Sequence, residues 1–293
     1  MGYSGRYHAA SLAAVFLALA IGILIGSAFG DGVVSGTAES LESSLRGDLD
    51  EARSDLDGLE TQLGRERDFG RRAYPALVGD RLLGVQVGLI GLGGLPEELG
   101  ADVRAALEPT GAELSSVAVV REPVDTQALA SAAGLGRSQI PNDPEALEAY
   151  ARTVGGQIVT GGSLLERTQD ELFSRVSGRL GELDAVVVAR QRPSDLSRPQ
   201  ELDLDRLETG LLAGMEGSSA TVVGVERTDA GTTSIGVFGA QRLATVDHVD
   251  LVAGQVALIL TLLGADGDYG VKDSADQLLP DVLIGPTSFL GAP

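Results

Sequence analysis

LGVQVGLIGLGGLPEELGADVRAAL, residues 83–107, reads as a strand, a glycine turn and a helix in succession. Leu83–Leu92 is an apolar run of the length and type of a strand buried on both faces. Pro96 suits the first position of a helix through Leu107, because its fixed φ fits and no hydrogen bond is lost there. Glu97 and Glu98 put negative charge in the first turn, where the helix dipole favours it. The pattern repeats downstream. Glu113–Val120 reads as a second strand, and the Val-rich Asp184–Ala189 and Ala220–Val225 as two more. Helical patterns run over Asp143–Val154, Ser163–Arg179, Asp203–Ala213 and Leu251–Leu263. Strands alternating with helices predict an α/β fold, a Rossmann-like parallel sheet covered on both faces, over residues 77–285. Residues 121–180 show no convincing strand and read as a helical insertion, punctuated by Gly155-Gly156 and Gly161-Gly162. Residues 286–293 are expected to be a C-terminal tail.

Upstream the sequence changes character twice. Residues 36–72 are polar with regularly spaced leucines. With Leu49, Leu56 and Leu63 as a positions, Leu45, Ala52 and Leu59 fall at d, a 3.5-residue period that argues for a left-handed coiled-coil stalk. Gly47, Gly58 and Gly64 lie off this seam and weaken the helix by about 1 kcal/mol each. In a parallel dimer Asp48 meets Arg53 favourably, Asp55 meets Glu60 unfavourably, and Gln62 meets Arg67. The competing reading is an amphipathic helix lying on its own globular domain.

Ala9 to Ala28 has twenty positions without a charge. As a helix it spans about 30 Å, the thickness of a bilayer's hydrocarbon core. Gly26-Ser27-Ala28 has the small residues of a signal-peptidase site. The run exceeds the usual 7–15 apolar residues of a cleaved signal, so an uncleaved anchor over residues 9–30 is the expectation. Arg6 precedes the span and Asp31 follows it. The positive-inside rule then puts residues 1–8 in the cytoplasm and the bulk of the chain outside, a single-pass cell-membrane protein in contact with lipid. Ala14, Ala18, Gly22, Gly26 and Gly30 recur every four residues. Gly22 and Gly26 form a GxxxG, which lets two helix backbones approach closely in lipid. Together with the leucine seam it predicts a homodimer.

Composition narrows function. The net charge is −20, with no Cys, no Trp and a single Lys, Lys272. Nucleic-acid binding, which needs clustered cations, is not expected. Without Cys there is neither a disulfide nor a thiolate metal site. Gly91-Leu92-Gly93-Gly94 stands where a dinucleotide-binding turn belongs. The third glycine of that pattern falls at Pro96, and Glu97 and Glu98 oppose a pyrophosphate, so a structural turn is expected. Asp266-Gly267-Asp268 begins like a calcium loop, but Gln277 stands where the bidentate Glu belongs. Asp247-His248-Val249-Asp250 offers two carboxylates and an imidazole. Asp247, His248 and Asp250 either ligate a metal or, as capping acids, satisfy the start of the following helix. No nucleophile–base pair, catalytic residue or cofactor-binding pattern is read, so an enzyme is not expected.

The string Tyr7-His8-Ala9-Ala10-Ser11-Leu12-Ala13-Ala14-Val15-Phe16-Leu17-Ala18-Leu19-Ala20-Ile21-Gly22, then Leu24-Ile25-Gly26-Ser27, resembles the opening of the actinobacterial MctB family. That family is named for copper transport in the outer membrane and includes SteB-type envelope proteins. The resemblance continues through the stalk. It returns at Thr245-Val246-Asp247-His248, where the family tends to have TVDD, and at Gly267-Asp268-Tyr269-Gly270 followed by Leu278-Leu279-Pro280. It implies either copper homeostasis through an outer-membrane channel, or an envelope role with a cell-division or other envelope protein as partner. The residues favour the second. The repeated ten-residue alternating segments of a membrane barrel are not evident. Soft copper donors amount to Met1, Met215, His8 and His248.

Overall fold

A computed structural model describes residues 5–135 and 143–281. The expected tail at 286–293 lies outside them. The chain divides into two compact units, Met1–Glu66 and Arg67–Pro293. The first unit is helical throughout its described part, because α1 runs from Gly5 to Val78. It contains His8–Ser27, whose mean hydropathy is 2.5 and which is the one helix among the described residues long and apolar enough to cross a membrane.

The second unit is built on a seven-stranded sheet in the order β3-β2-β1-β4-β5-β6-β7. Its strands are β1 (Gln86–Leu92), β2 (Glu113–Val120), β3 (Phe173–Gly178), β4 (Ala185–Arg190), β5 (Thr221–Val225), β6 (Ala244–Val246) and β7 (Asp268–Tyr269). All neighbours are parallel except β2 and β3. The helices are α2 (Glu97–Leu107), α3 (Thr126–Ala132), α4 (Pro144–Thr160), α5 (Ser163–Leu172), α6 (Arg198–Glu216), α7 (Ile235–Ala240) and α8 (Val252–Leu262).

Strand β4 shows why the sheet needs cover on both sides. Val186 and Val188 join one apolar cluster, with α3 to α6, while Ala185, Val187 and Ala189 join the other, with α2, α8 and the end of α1. Five consecutive residues are therefore buried, as the two-residue period of a strand between two helical layers requires. The last turns of α1 belong to this second cluster. Tyr74 and Val78 are buried there, and the Tyr74 hydroxyl donates to the Ala106 carbonyl at 2.7 Å. Burial pushes the Tyr74 phenol well above its ordinary pKa.

The insertion is not wholly helical. The expected helix over Ser163–Arg179 ends at Leu172, and β3 follows, paired antiparallel with β2. Of its six residues only Phe173 is buried, so this edge strand lacks the apolar signal of the inner ones. Gly155 and Gly156 do not break a helix either. They lie inside α4, which packs tightly on α6. A Cβ at Gly155 would sit 2.3 Å from the Leu211 carbonyl oxygen, and one at Gly214 would sit 2.0 Å from that of Arg152. Glycine here sets the distance between two backbones.

This packing has a testable consequence. Gly214→Ala should destabilise the chain by about 1–3 kcal/mol through overpacking. Gly100→Ala, in α2 with open space around it, should be neutral or stabilising. Chemical denaturation of the two variants reads the difference, and equal effects would contradict the close-packed interface.

Candidate functional site

The chain reverses its direction across the sheet between β1, whose successor β2 lies on one side, and β4, whose successor β5 lies on the other. In doubly wound folds ligands bind in the crevice beyond the carboxyl ends of strands at such a switch point. Here β1 leaves the sheet through Gly93, at φ 78°, and Gly94. The space beside these glycines is filled by the protein itself. A Cβ at Gly93 would meet a Glu122 carboxylate oxygen at 2.4 Å, and one at Gly94 the Gln191 side-chain oxygen at 2.6 Å. The Gln191 amide donates to the Leu92 carbonyl at 2.9 Å and closes the crevice.

Charged groups converge beneath it. Glu208 is 1% exposed, on the apolar face of α6 with Leu204, Leu207 and Leu211. It accepts from Arg190 Nε at 3.0 Å and from an Arg192 terminal nitrogen at 2.5 Å, while Arg192 also reaches Asp205 at 2.7 Å. Both Glu122 oxygens are shut off from solvent without a donor. Burial, then the Glu208 carboxylate, push the Glu122 carboxyl up to about 8. A neutral Glu122 can donate a hydrogen bond to Glu208, whereas an ionised one would only repel it.

Beside the crevice opens a cleft of about 1050 Å³, walled by Pro96 and Leu99, Arg190 to Ser194, and the loop from Glu226 to Ser234. Its cations are matched. Arg227 pairs with Asp102 and, at 3.1 Å, with Asp229. Glu226, almost buried, accepts from the Thr233 hydroxyl and the Ser234 amide, both at 2.8 Å, and from Lys272. The chain's single lysine thus ties the segment after β7 to the cleft wall.

The expected metal or capping group takes a third form. Asp247 is 1% exposed and accepts from the Val271 and Lys272 amides at 2.8 and 2.9 Å. A Cβ at Gly270 would fall 2.0 Å from that carboxylate, so only glycine fits there. Thr245 donates to Asp268 at 2.7 Å across β6 and β7. Asp250 accepts from the Thr228 amide at 2.7 Å, away from Asp247. Neither acid caps α8. Its N-cap is Leu251, which makes no side-chain bond. The capping expectation fails because both carboxylates turn to partners distant in sequence. His248 is fully buried, and its Nδ1 lies 3.3 Å from Asp247 without hydrogen-bond geometry. Burial lowers its pKa, against the opposing pull of Asp247 and Asp250. Among the described residues no group of three or more His, Cys, Asp or Glu is arranged to hold a metal ion.

The proposed dimer contacts lie on α1. Leu45, Leu49, Leu56, Leu59 and Leu63 are each more than half exposed. A Cβ at Gly22 or Gly26 would meet nothing within 4 Å on the single chain. In the sequence, Glu122, Arg190, Arg192 and Glu226 carry no pattern that singles them out. Glu208 does carry a signal, a carboxylate at i+4 from Leu204 on an otherwise apolar helical stripe.

Fold and site define a class: a doubly wound α/β protein whose chain also carries a helix apolar enough to cross a membrane. The chain belongs to the MctB family. The family model described as "Copper transport outer membrane protein, MctB" matches residues 3–280. Proteins named copper transporter MctB from Mycobacterium bovis and Mycobacterium tuberculosis are each 26% identical to it, over 92% of this chain and 96% of theirs. The two stretches that carry the downstream resemblance, Thr245–His248 and Gly267–Gly270, meet in the β6–β7 lock.

Asp247→Ala should therefore take the buried acceptor from the Val271 and Lys272 amides and destabilise the chain by about 1–3 kcal/mol in all. Limited proteolysis should then cut between Val271 and Gln277 faster than in the wild type. An unchanged cutting rate would contradict the lock.

Proposed function

We propose that this chain is a membrane-anchored, dimeric envelope protein whose α/β domain docks another envelope or cell-division protein and catalyses no reaction. The row of exposed leucines from Leu45 to Leu63 carries this reading. Fully burying one leucine contributes about 1.5–3 kcal/mol, so five aligned on one stripe favour a covering partner strongly. Their heptad spacing supports a helical partner, which this reading takes to be a second copy of the same helix. The apolar His8–Ser27 segment supports anchoring, with Gly22 and Gly26 on the face that brings two spans together. The Arg6/Asp31 asymmetry supports an extracytoplasmic domain. Cofactor chemistry plays no part in this reading.

Copper transport is the second reading, favoured by what the mycobacterial relatives are named. The chain has 2 Met, 2 His and no Cys to offer a soft ion. On this reading His248 beside Asp247 is the best-placed donor.

Two measurements separate the readings. Sedimentation of the full chain in detergent should show a dimer that Leu56→Asp dissociates, because the substitution buries a charge in the seam. A wild-type monomer at micromolar concentration would overturn the dimer. Copper should leave the melting temperature unchanged. A copper-dependent rise that is lost in His248→Ala would put the transport reading first. Topology has its own test: protease added to intact spheroplasts should digest the domain, and survival of the domain until lysis would reverse the orientation.

A further inference from the structure

The switch-point crevice is closed by the Glu122 side chain together with Gln191, whose backbone carbonyl also faces Gly93. Glu122 enters it from the loop after β2 and lies against Gly93, where a Cβ would strike its carboxylate. Gln191 enters from the end of β4 and lies against Gly94. Three elements thus meet around Glu122: the turn after β1, the end of β4, and α6. The titratable groups they bring are Arg190 and Arg192 from β4 and its following loop, and Glu208 and Asp205 from α6. The neighbouring Arg121 is turned away to the Asp170 and Phe173 carbonyls. The two arginines are already committed to Glu208 and Asp205. Glu122 has no cation of its own among the described residues, and both of its oxygens lack a donor.

We propose that Glu122 is a proton-controlled plug. Protonated, it bonds to the Glu208 carboxylate and seals the crevice beside Gly93. Ionised, it is expelled and uncovers the side of Gly93 that it occupied, leaving Gln191 as the remaining cover.

The direction of the pH effect follows from where Glu122 titrates. In the closed form burial and Glu208 hold its pKa at about 8, far above the ordinary carboxyl range that an opened, solvated Glu122 regains. The closed form therefore binds more protons than the open form between those two values. Opening becomes about tenfold easier for each pH unit through that window and levels off above about pH 8. Glutamine keeps the shape of a neutral Glu122 and cannot ionise.

Hydrogen exchange of the full chain in detergent micelles tests this. The reporters are the Gln191 and Gly94 amides, which donate to the Leu92 carbonyl at 2.9 and 3.0 Å. After correction for intrinsic exchange, their protection should fall about a hundredfold between about pH 5.5 and about pH 7.5 in the wild type. It should stay flat in Glu122→Gln. Glu208→Gln removes the carboxylate that repels an ionised Glu122, so its protection should level off at lower pH than the wild type's. The Leu89 amide, inside β1, should not respond in any of the three. Equal pH profiles in the wild type and Glu122→Gln would overturn the plug. So would a Glu208→Gln plateau at or above the wild-type pH.

Discussion

The pairing of β1 with β4 constrains the rest of the domain. Val87 to Leu92 runs in parallel register beside Ala185 to Arg190, and the chain reverses its winding across this pair. Both strands are buried on both faces, so helices must cover each side. The register also puts Leu92 beside Arg190, which brings a cation to the edge of the core just where the sheet stops. A nearly buried guanidinium requires a counter-charge, and α6 supplies it through Glu208. For α6 to bring Glu208 that far in, its backbone must approach α4 closely. Gly155, Gly210 and Gly214 allow that approach. The position of one arginine at a strand end thus connects to the glycines of a helix pair on the same side of the sheet.

The far end of the sheet is held by different means. β6 and β7 have three and two residues, too few for a ladder to hold alone. Side chains supplement it: Asp247 takes two amides beyond β7, Thr245 reaches Asp268, and Lys272 reaches Glu226. A buried carboxylate that accepts two backbone N–H groups is well matched to its surroundings. It is poorly placed to act as a free ligand. That assignment explains why the stretches Thr245–His248 and Gly267–Gly270 belong together, although they are well separated in sequence.

The inner strands were legible because burial on both faces leaves an uninterrupted apolar run. β2 matches its expected bounds, while β4 and β5 each begin one residue late. β1 begins at Gln86 rather than Leu83, since Gly84 takes a positive φ that ends the strand direction there. β3, β6 and β7 escaped notice for physical reasons. The first is an exposed edge with polar residues, and the others are too short to show a period. The acids at Asp247 and Asp250 looked like caps because capping is local and legible, whereas their partners lie more than twenty residues away. The crevice cluster was hidden for the same reason: Glu122 and Glu208 are brought together only by the winding of the sheet.

Those contacts organise one chain, whereas the leucines of α1 are left exposed on it, and the proposed dimer would cover them. Because the chain has no cysteine, a single engineered one reports on that pairing without background. In the proposed parallel dimer Leu56→Cys would place a thiol at an a position on the seam, and Ser54→Cys one at the outward f position. The most direct measurement is oxidative cross-linking of the full chain in native membranes. Disulfide-linked dimer is expected from Leu56→Cys and not from Ser54→Cys. No dimer from either, or equal dimer from both, would contradict the leucine seam as the surface on which two copies meet.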